Sequence, residues 1–346
     1  MTYAIILIII FASIVVMHEL GHFIAAKMCG VGVNEFAIGI GPKLWGIKKG
    51  ETLYSIRLLP IGGYCAMEGE NEDTNNPKAL TNKSPGQRMI IFIAGAFMNV
   101  VLTWVLMVIF LTYSGNSYNS TVIENVVENF PLEQAGVMTG DTILAIDGVE
   151  VFTQTEISEI IGNNNPSYEL TIKDIAGNIR IVTIAPQIDE NGNRLIGFYG
   201  KVISEPYSFG ESILQAFNET GKLLTEVVMS FWSLITGGVS VKDMAGIVGV
   251  AQLTTQVWDV SVQESVMYAI MNMVKLAAIL SANLAVLNLL PFPALDGGRI
   301  LFTFIELVRG KPLNQEKEAA FHFVGFVLLM ILMVVVLYND IIRIMM

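Results

Sequence analysis

His18, Glu19 and His22 are the residues whose types and spacing point most directly to chemistry. Two histidines four apart on a helix stand one turn above each other on one face, and two imidazoles so placed can both reach one zinc ion. A carboxylate directly after the first histidine can take a proton from a water beside that metal. His-Glu-x-x-His is short enough to recur by chance, so its surroundings decide its weight. Here they are apolar: Ala4 to Met17 carries no charged side chain. Ionisable groups inside a membrane helix cost several kcal/mol unless paired or solvated. Three of them within five residues mark a functional centre rather than polar groups that merely pair with one another.

A catalytic zinc takes three protein ligands and keeps one position open. Two residues compete for the third place. His322 is the one remaining histidine, in "EAAFHFVGF" at the start of a late apolar run. Asp296 lies in "NLLPFPALDGGRI", where Pro291 and Pro293 break a helix and Gly297-Gly298 allow a sharp turn. Broken helices occur at membrane depth where backbone lines a polar cavity. This gives Asp296 a reason to point inward and favours it over His322, which reads as an ordinary buried or interfacial histidine.

The elements that must position these groups are membrane helices. The chain has 346 residues, 53% hydrophobic and 15% charged, with a positive mean hydropathy, too apolar for a soluble protein of this size. Four stretches approach the roughly 20 apolar residues a bilayer requires: Ala4 to Ala26, Met89 to Thr112, about Val274 to Leu295, and Ala319 to Tyr338. The first has no Lys or Arg before it and no small-residue cleavage site after it, so it is expected to be a retained helix and not a signal peptide. Val227 to Val239 is too short to span and is expected at the interface or against the bundle.

Charge sets the expected orientation. Lys27 to Arg88 holds eight basic residues against six acidic ones, and Ser114 to Glu264 six against nineteen. The positive-inside rule puts the first loop, and the loop with Arg299, Arg309, Lys311 and Lys317, in the cytoplasm. His18, His22 and Asp296 then share the cytoplasmic end of their helices, and the acidic segment lies outside. Cys29 and Cys65 fall on the cytosolic side and imply no disulfide framework.

The acidic segment reads as a separate mixed domain. Strand patterns start at Thr121, Asp141, Ser167 and Ile179, with turns at Asp147-Gly148 and Gly177-Asn178 and a short helix over Gln154 to Ile161. "PLEQAGVMTGDTILAIDGVEV" resembles the PDZ pattern at Ala135-Gly136, Gly140-Asp141 and Ile146-Asp147-Gly148. PDZ domains bind extended peptide by strand addition; the competing reading is a passive spacer or a steric plug.

With "HELGH", "FAIGIGPKLW", "YSIRLLPIGGYCAMEGE", the PDZ-like insert and "NLLPFPALDGGR" in this order, nearly the whole chain resembles the site-2 protease family of intramembrane metalloproteases, most closely its RseP-type bacterial members. The resemblance implies Zn²⁺ held by His18, His22 and Asp296, with Glu19 as general base. It implies that Asn283 and Asn288 lie near the active centre and help hold substrate. It also implies a membrane-associated β-hairpin around Leu53 to Met67 that pairs with the substrate segment. The residues themselves give strand-forming Tyr54, Ile56 and Tyr64 and a bend at Gly62-Gly63, so an edge strand that binds substrate through Tyr54, Ile56, Gly62 and Gly63 is expected; the competing reading is a soluble cytoplasmic hairpin with no substrate role. Two departures stand out. There is room for one PDZ-like domain where many relatives have two. Ile247 in "AGIVG", from Ala245 to Gly249, stands where family members often have proline.

The expected architecture is a multi-pass α-helical membrane protein of about four transmembrane helices, with a membrane-associated β-hairpin and an inserted extracytoplasmic α+β PDZ-like domain. Its expected parts are residues 1–113, 114–205, an amphipathic linker 206–265, and 266–346. The expected function is an intramembrane zinc endopeptidase of the bacterial cytoplasmic membrane. It would act on single-span membrane proteins near the cytoplasmic side: anti-sigma factors trimmed outside by an upstream site-1 protease, or remnant signal peptides. The bilayer is its other partner, and no nucleic acid is expected. Two other classes remain open: a catalytically inactive scaffold that binds partners through the PDZ-like domain, and an ion-conducting transporter, against which the lack of an inverted repeat counts.

Overall fold

The computed structural model describes every residue except 1, 71–74, 164, 190–191, 239–245, 312–314 and 346. The chain divides into two compact units, Met1–Leu111 with Gly210–Met346, and Thr112–Phe209.

The first unit begins with helix α1 (Thr2–Met28), followed by two long antiparallel strands, β1 (Val33–Lys49) and β2 (Thr52–Met67), and helix α2 (Pro85–Ser114). The strands fold back on themselves. Tyr54 and Ile56 of β2 pair on one side with Phe36 and Ile38 and on the other with Ile47 and Trp45, whereas Gly63 and Cys65 pair only with Ile38 and Phe36. The result is a small four-segment sheet and not the simple hairpin expected over Leu53 to Met67. Gly62 makes the bend at φ +92°, and Gly63–Met67 forms one edge. Phe36, Cys65 and Met67 pack with Ala25, Ala26, Ile91 and Phe92, which fastens the sheet to one end of α1 and α2. Glu35 staples the sheet internally, accepting hydrogen bonds from Ser55, Arg57 and Tyr64. Burial alone would raise the Glu35 carboxyl, but these donors outweigh it and hold it below its ordinary value.

The second unit is a β-sheet domain. Its elements are β3 (Asn116–Val126), α3 (Pro131–Gln134), β4 (Thr142–Ile146), β5 (Val149–Glu150), α4 (Gln154–Ile161), β6 (Tyr168–Lys173), β7 (Ile179–Ile184), β8 (Gln187–Ile188), β9 (Arg194–Leu195) and β10 (Phe198–Glu205). The main sheet runs β10-β3-β4-β6-β7, with β5 beside β4. Asp147 and Gly148, both at positive φ, turn β4 into β5 as the Asp-Gly pair requires. A capping box at Thr153 and Glu156 starts α4. Ile143, Ile146, Ile157, Ile161, Leu170 and Ile172 form its core.

The chain then forms α5 (Phe209–Ile235), α6 (Ile247–Glu264), α7 (Val266–Leu289), α8 (Asp296–Arg309) and α9 (Gln315–Met345). Among the described residues four helical stretches are long and apolar enough to cross a membrane: Ile5–Met28, Pro85–Ser114, Val266–Leu289 and Glu318–Arg343. The third differs from the expected Val274 to Leu295. It starts earlier because the Ser265 hydroxyl caps Tyr268 N–H at 3.0 Å. It stops at Leu289 because the residue before a proline is driven out of helical geometry and Pro291 follows. The short apolar run Val227 to Val239 lies in α5 as far as Ile235, a helix whose 27 residues are amphipathic, and its last residue lies outside the described ones. Ala245 of the "AGIVG" stretch lies outside the described residues; Ile247 opens α6.

Candidate metal centre

Three helices supply the centre. His18 and His22 lie on one face of α1, both buried, and Gly21 between them lets α2 approach: a Cβ there would stand 2.2 Å from the Ala94 carbonyl oxygen. Close backbone crossing at small residues is how helices pack in lipid, and it explains the glycine in His-Glu-Leu-Gly-His. Asp296 opens α8 directly after the break that ends α7. Gly297 and Gly298 allow this sharp return, since side chains there would meet the carbonyl oxygens of Leu290 at 2.0 Å and Phe292 at 2.6 Å.

Nε2 of His18, Nε2 of His22 and Oδ2 of Asp296 converge. The two nitrogens are 3.1 Å apart, and Oδ2 lies 3.1 Å from the first and 3.2 Å from the second. One face of a tetrahedral zinc shell with arms of about 2.0 Å has edges of about 3.3 Å, so the triangle has the size zinc requires. The donor chemistry agrees. His22 Nδ1–H donates to the Ile91 carbonyl at 2.8 Å, which fixes the tautomer that leaves the Nε2 lone pair free. The buried Asn99 amide lies 3.4 Å from His18 Nδ1 while its Oδ1 has no partner. A half-turn of that amide lets Oδ1 accept from Nδ1–H and frees Nε2 in the same way. Asp296 Oδ2 is buried without a hydrogen bond. Three lone-pair atoms packed this closely repel one another unless a cation lies between them, and the residues present therefore fit zinc. Among the described residues this is the cluster able to hold a metal ion.

Glu19 is partly buried beside the triangle. A Cβ at Gly63 would stand 3.6 Å from its Cγ, so the edge segment of the sheet runs past the general-base candidate. Cys65 itself takes no part: burial, then the charges of Glu19 and Glu70, push its thiol up to about 12.

The other expected residues are distributed unevenly. Asn288 brings its amide nitrogen to 3.4 Å from His18. Asn283 is half-buried on α7 with no hydrogen bond to either histidine among the described residues. Tyr54 packs against Phe23 and Phe36, and its segment, like that of Ile56, is already paired on both sides; the structure brings neither to the centre. His322 is not brought into the triangle.

Two residues of α2 join the centre without having stood out in the sequence. Gly95 lies against both rings, since a Cβ there would stand 2.4 Å from His22 Nε2 and 2.7 Å from His18 Cε1. Asn99, one turn further on, also ties α2 to α7 through its carbonyl, which accepts from Ser281 at 2.9 Å. The available signal was an amide inside an otherwise uncharged span.

Two imidazoles and a carboxylate converging on one point, a second carboxylate beside them and four membrane-capable helices define a membrane zinc peptidase. The chain belongs to peptidase family M50, the site-2 proteases, whose model matches residues 6–332, and it is a zinc metalloendopeptidase of that family. It is 37% identical to a Clostridium perfringens homologue over 343 residues, 98% of each chain. It is 32% identical to zinc metalloprotease RasP of Bacillus licheniformis over 418 aligned positions, covering 97% of this chain and 98% of that one. With the regulator of sigma-W protease RasP of Bacillus subtilis the identity is 30% over 419 positions, covering 97% of each. Both RasP alignments run over more positions than this chain has residues, so those relatives carry segments without a counterpart here. Among solved structures, the PDZ domain of an SdrC-like protein of Listeria monocytogenes covers 23% of this chain and 86% of its own, at 21% identity and a TM-score of 0.21.

Proposed function

We propose that this enzyme cuts single-span membrane segments within the bilayer, close to its cytoplasmic face. The observation that carries the reading is the triangle of His18, His22 and Asp296 within the helical bundle. His22 lies six residues from the end of α1, about 9 Å along the axis, on the side of the basic first loop. In this reading the acidic second unit is extracytoplasmic.

His18, His22 and Asp296 would hold zinc, and Glu19 acts as general base. When bound, zinc supplies a Lewis acid for the scissile carbonyl and for the attacking water. Glu19 takes the proton from that water and returns it to the leaving amine, with its side chain set beside the edge segment at Gly63. A helical substrate hides its peptide bonds in i to i−4 hydrogen bonds and must be opened. The edge segment after the Gly62 bend, with Gly63 beside Glu19, supports strand addition there, and the doubly paired Tyr54 and Ile56 are left out of that contact. Leu44, Trp45, Ile47, Leu58 and Leu59 are exposed on the same sheet, alongside Lys43, Lys48 and Lys49, which supports contact with an anionic membrane surface.

The name of the Bacillus subtilis relative supports an anti-sigma factor as one substrate, first trimmed by an upstream protease; remnant signal peptides share the same single-span form. We assign the second unit a PDZ-like filtering role, supported by its sheet, the Asp-Gly turn and α4.

Glu19→Gln tests the mechanism. The variant, purified in detergent, is expected to keep one zinc per chain and to lose cleavage of a single-span substrate that the wild type cuts. Retained turnover would overturn the role of Glu19, and loss of zinc would make Glu19 a ligand.

A further inference from the structure

Ala294, two residues before Asp296, has φ +70°, in the left-handed region. That conformation is disfavoured for a residue with a Cβ and persists only where its surroundings over-determine it. The neighbouring amides bond within the loop: Phe292 N–H to Leu290, Leu295 N–H to Phe292 and Gly298 N–H to Leu295. The Ala294 N–H instead donates to His322 Nδ1 on α9 at 2.9 Å.

The imidazole is wedged. A Cβ at Gly298 would stand 3.2 Å from its Cε1, and one turn further along α9 a Cβ at Gly325 would fall 1.9 Å from Pro293 Cβ. The Phe302 ring of α8 lies 5.8 Å from it. The ring thus touches the chain two residues before Asp296 and two residues after it. Its Nδ1 lone pair is engaged by a backbone amide, which in the neutral ring leaves the proton on Nε2.

We infer that His322 is a positioning residue that holds the loop 290–295, and with it the Asp296 carboxylate, in register with His18 and His22. The two residues that compete for the third ligand position in the sequence both serve it, Asp296 as the ligand and His322 as the group that holds the ligand in place. The inference rests on the metal-centre reading above.

Zinc dissociation from the full chain in lipid nanodiscs, measured by competition with a chromogenic chelator, tests it with three variants. His322→Phe keeps a ring of similar size without the acceptor, His322→Asn keeps an acceptor with less packing, and Asp296→Asn removes the ligand. His322→Phe is expected to weaken zinc binding by about 10- to 100-fold, the usual cost of losing a group that orients a ligand. His322→Asn is expected to restore most of that loss, while the metal-free forms of both unfold like the metal-free wild type. Wild-type zinc binding in His322→Phe, or a loss in His322→Asn as large as in His322→Phe, would overturn the inference. Zinc retained in Asp296→Asn would instead overturn the metal-centre reading beneath it.

Discussion

Gly95→Ala adds one methyl group to α2, and the structure sets its effect. The new Cβ would stand 2.4 Å from His22 Nε2 and 2.7 Å from Cε1 of both His18 and His22, about 1 Å inside ordinary contact. His22 cannot swing clear without stretching its 2.8 Å bond to the Ile91 carbonyl, which lies one turn before Gly95 on the same helix. Overpacking of this kind costs about 1–3 kcal/mol. Set against zinc binding, which needs both rings in place, that is roughly a 5- to 150-fold loss of affinity. Replacing glycine returns about 0.5–1 kcal/mol to the helix, which offsets part of the clash, so unfolding of the metal-free protein is expected to shift by less than zinc affinity does. Gly86→Ala is the control, since no atom lies within 4 Å of a Cβ there. Chelator competition on both variants, with thermal unfolding of the metal-free forms, reads out the comparison. Wild-type zinc affinity in Gly95→Ala would refute the placement of the metal between the two rings, and a loss shared equally by Gly86→Ala would refute the local argument.

Three further outcomes are expected. Cysteine at exposed Glu159 should react with an impermeant maleimide on intact cells, and cysteine at Lys48 only after permeabilisation; the opposite pattern would invert the orientation. Deleting residues 118–200 should leave zinc bound and admit substrates with bulky outer domains, and a zinc-loaded deletion variant that still rejects them would make the second unit a spacer. Because the Glu35 carboxyl sits below its ordinary value, its contribution to the sheet is present above the unfolded value and is lost as pH falls through the lowered folded one. Protection against hydrogen exchange in residues 33–67, taken relative to the intrinsic rate at each pH, should therefore fall below about pH 4, and protection that stays constant from pH 7 to pH 3 would deny Glu35 that role.

What the sequence makes legible follows from what each residue contributes. In the proposed centre His18, Glu19, His22 and Asp296 contribute particular atoms, so residue type and spacing make them legible. Gly95 is needed for the absence of atoms, and one glycine in an apolar run looks like any other until the second helix is in place. The start of α7 is hard to place from sequence because Lys275 reads as a boundary charge, whereas it lies within the helix with its ammonium 5.2 Å from the Phe110 ring. The sheet reads as one hairpin because its other half, Val33–Lys49, carries its pattern in glycine bends at positive φ, Gly39 and Gly41, more than in strict alternation. The second unit is easier: its Asp-Gly turn and the cap before Gln154 are local signals, and α4 spans the expected residues.

The polar side chains inside the helical unit lie where elements meet, and this links packing to chemistry. Lipid tails compete with apolar side chains, so membrane helices associate through close packing and hydrogen bonds. Asn99, Thr103 and Ser281 join α2 to α7, with Thr103 Oγ1 donating to the Ala278 carbonyl at 3.3 Å. Asp340, buried near the end of α9, accepts from the backbone N–H groups of Gly246 and Gly249 at 3.2 and 2.9 Å, where a carboxylate suits the start of α6. Gly246 leaves room for it, since a Cβ there would stand 2.7 Å from Asp340 Oδ2. The glycines of the "AGIVG" stretch thus meet a carboxylate from the last helix, and proline at 247 is not needed to shape that contact. With Asp340 near one end and His322 near the other, α9 is held by polar contacts at both ends, one on α6 and one on the loop that carries Asp296. The His322 contact therefore links the packing of the last helix to the position of Asp296, the proposed third ligand.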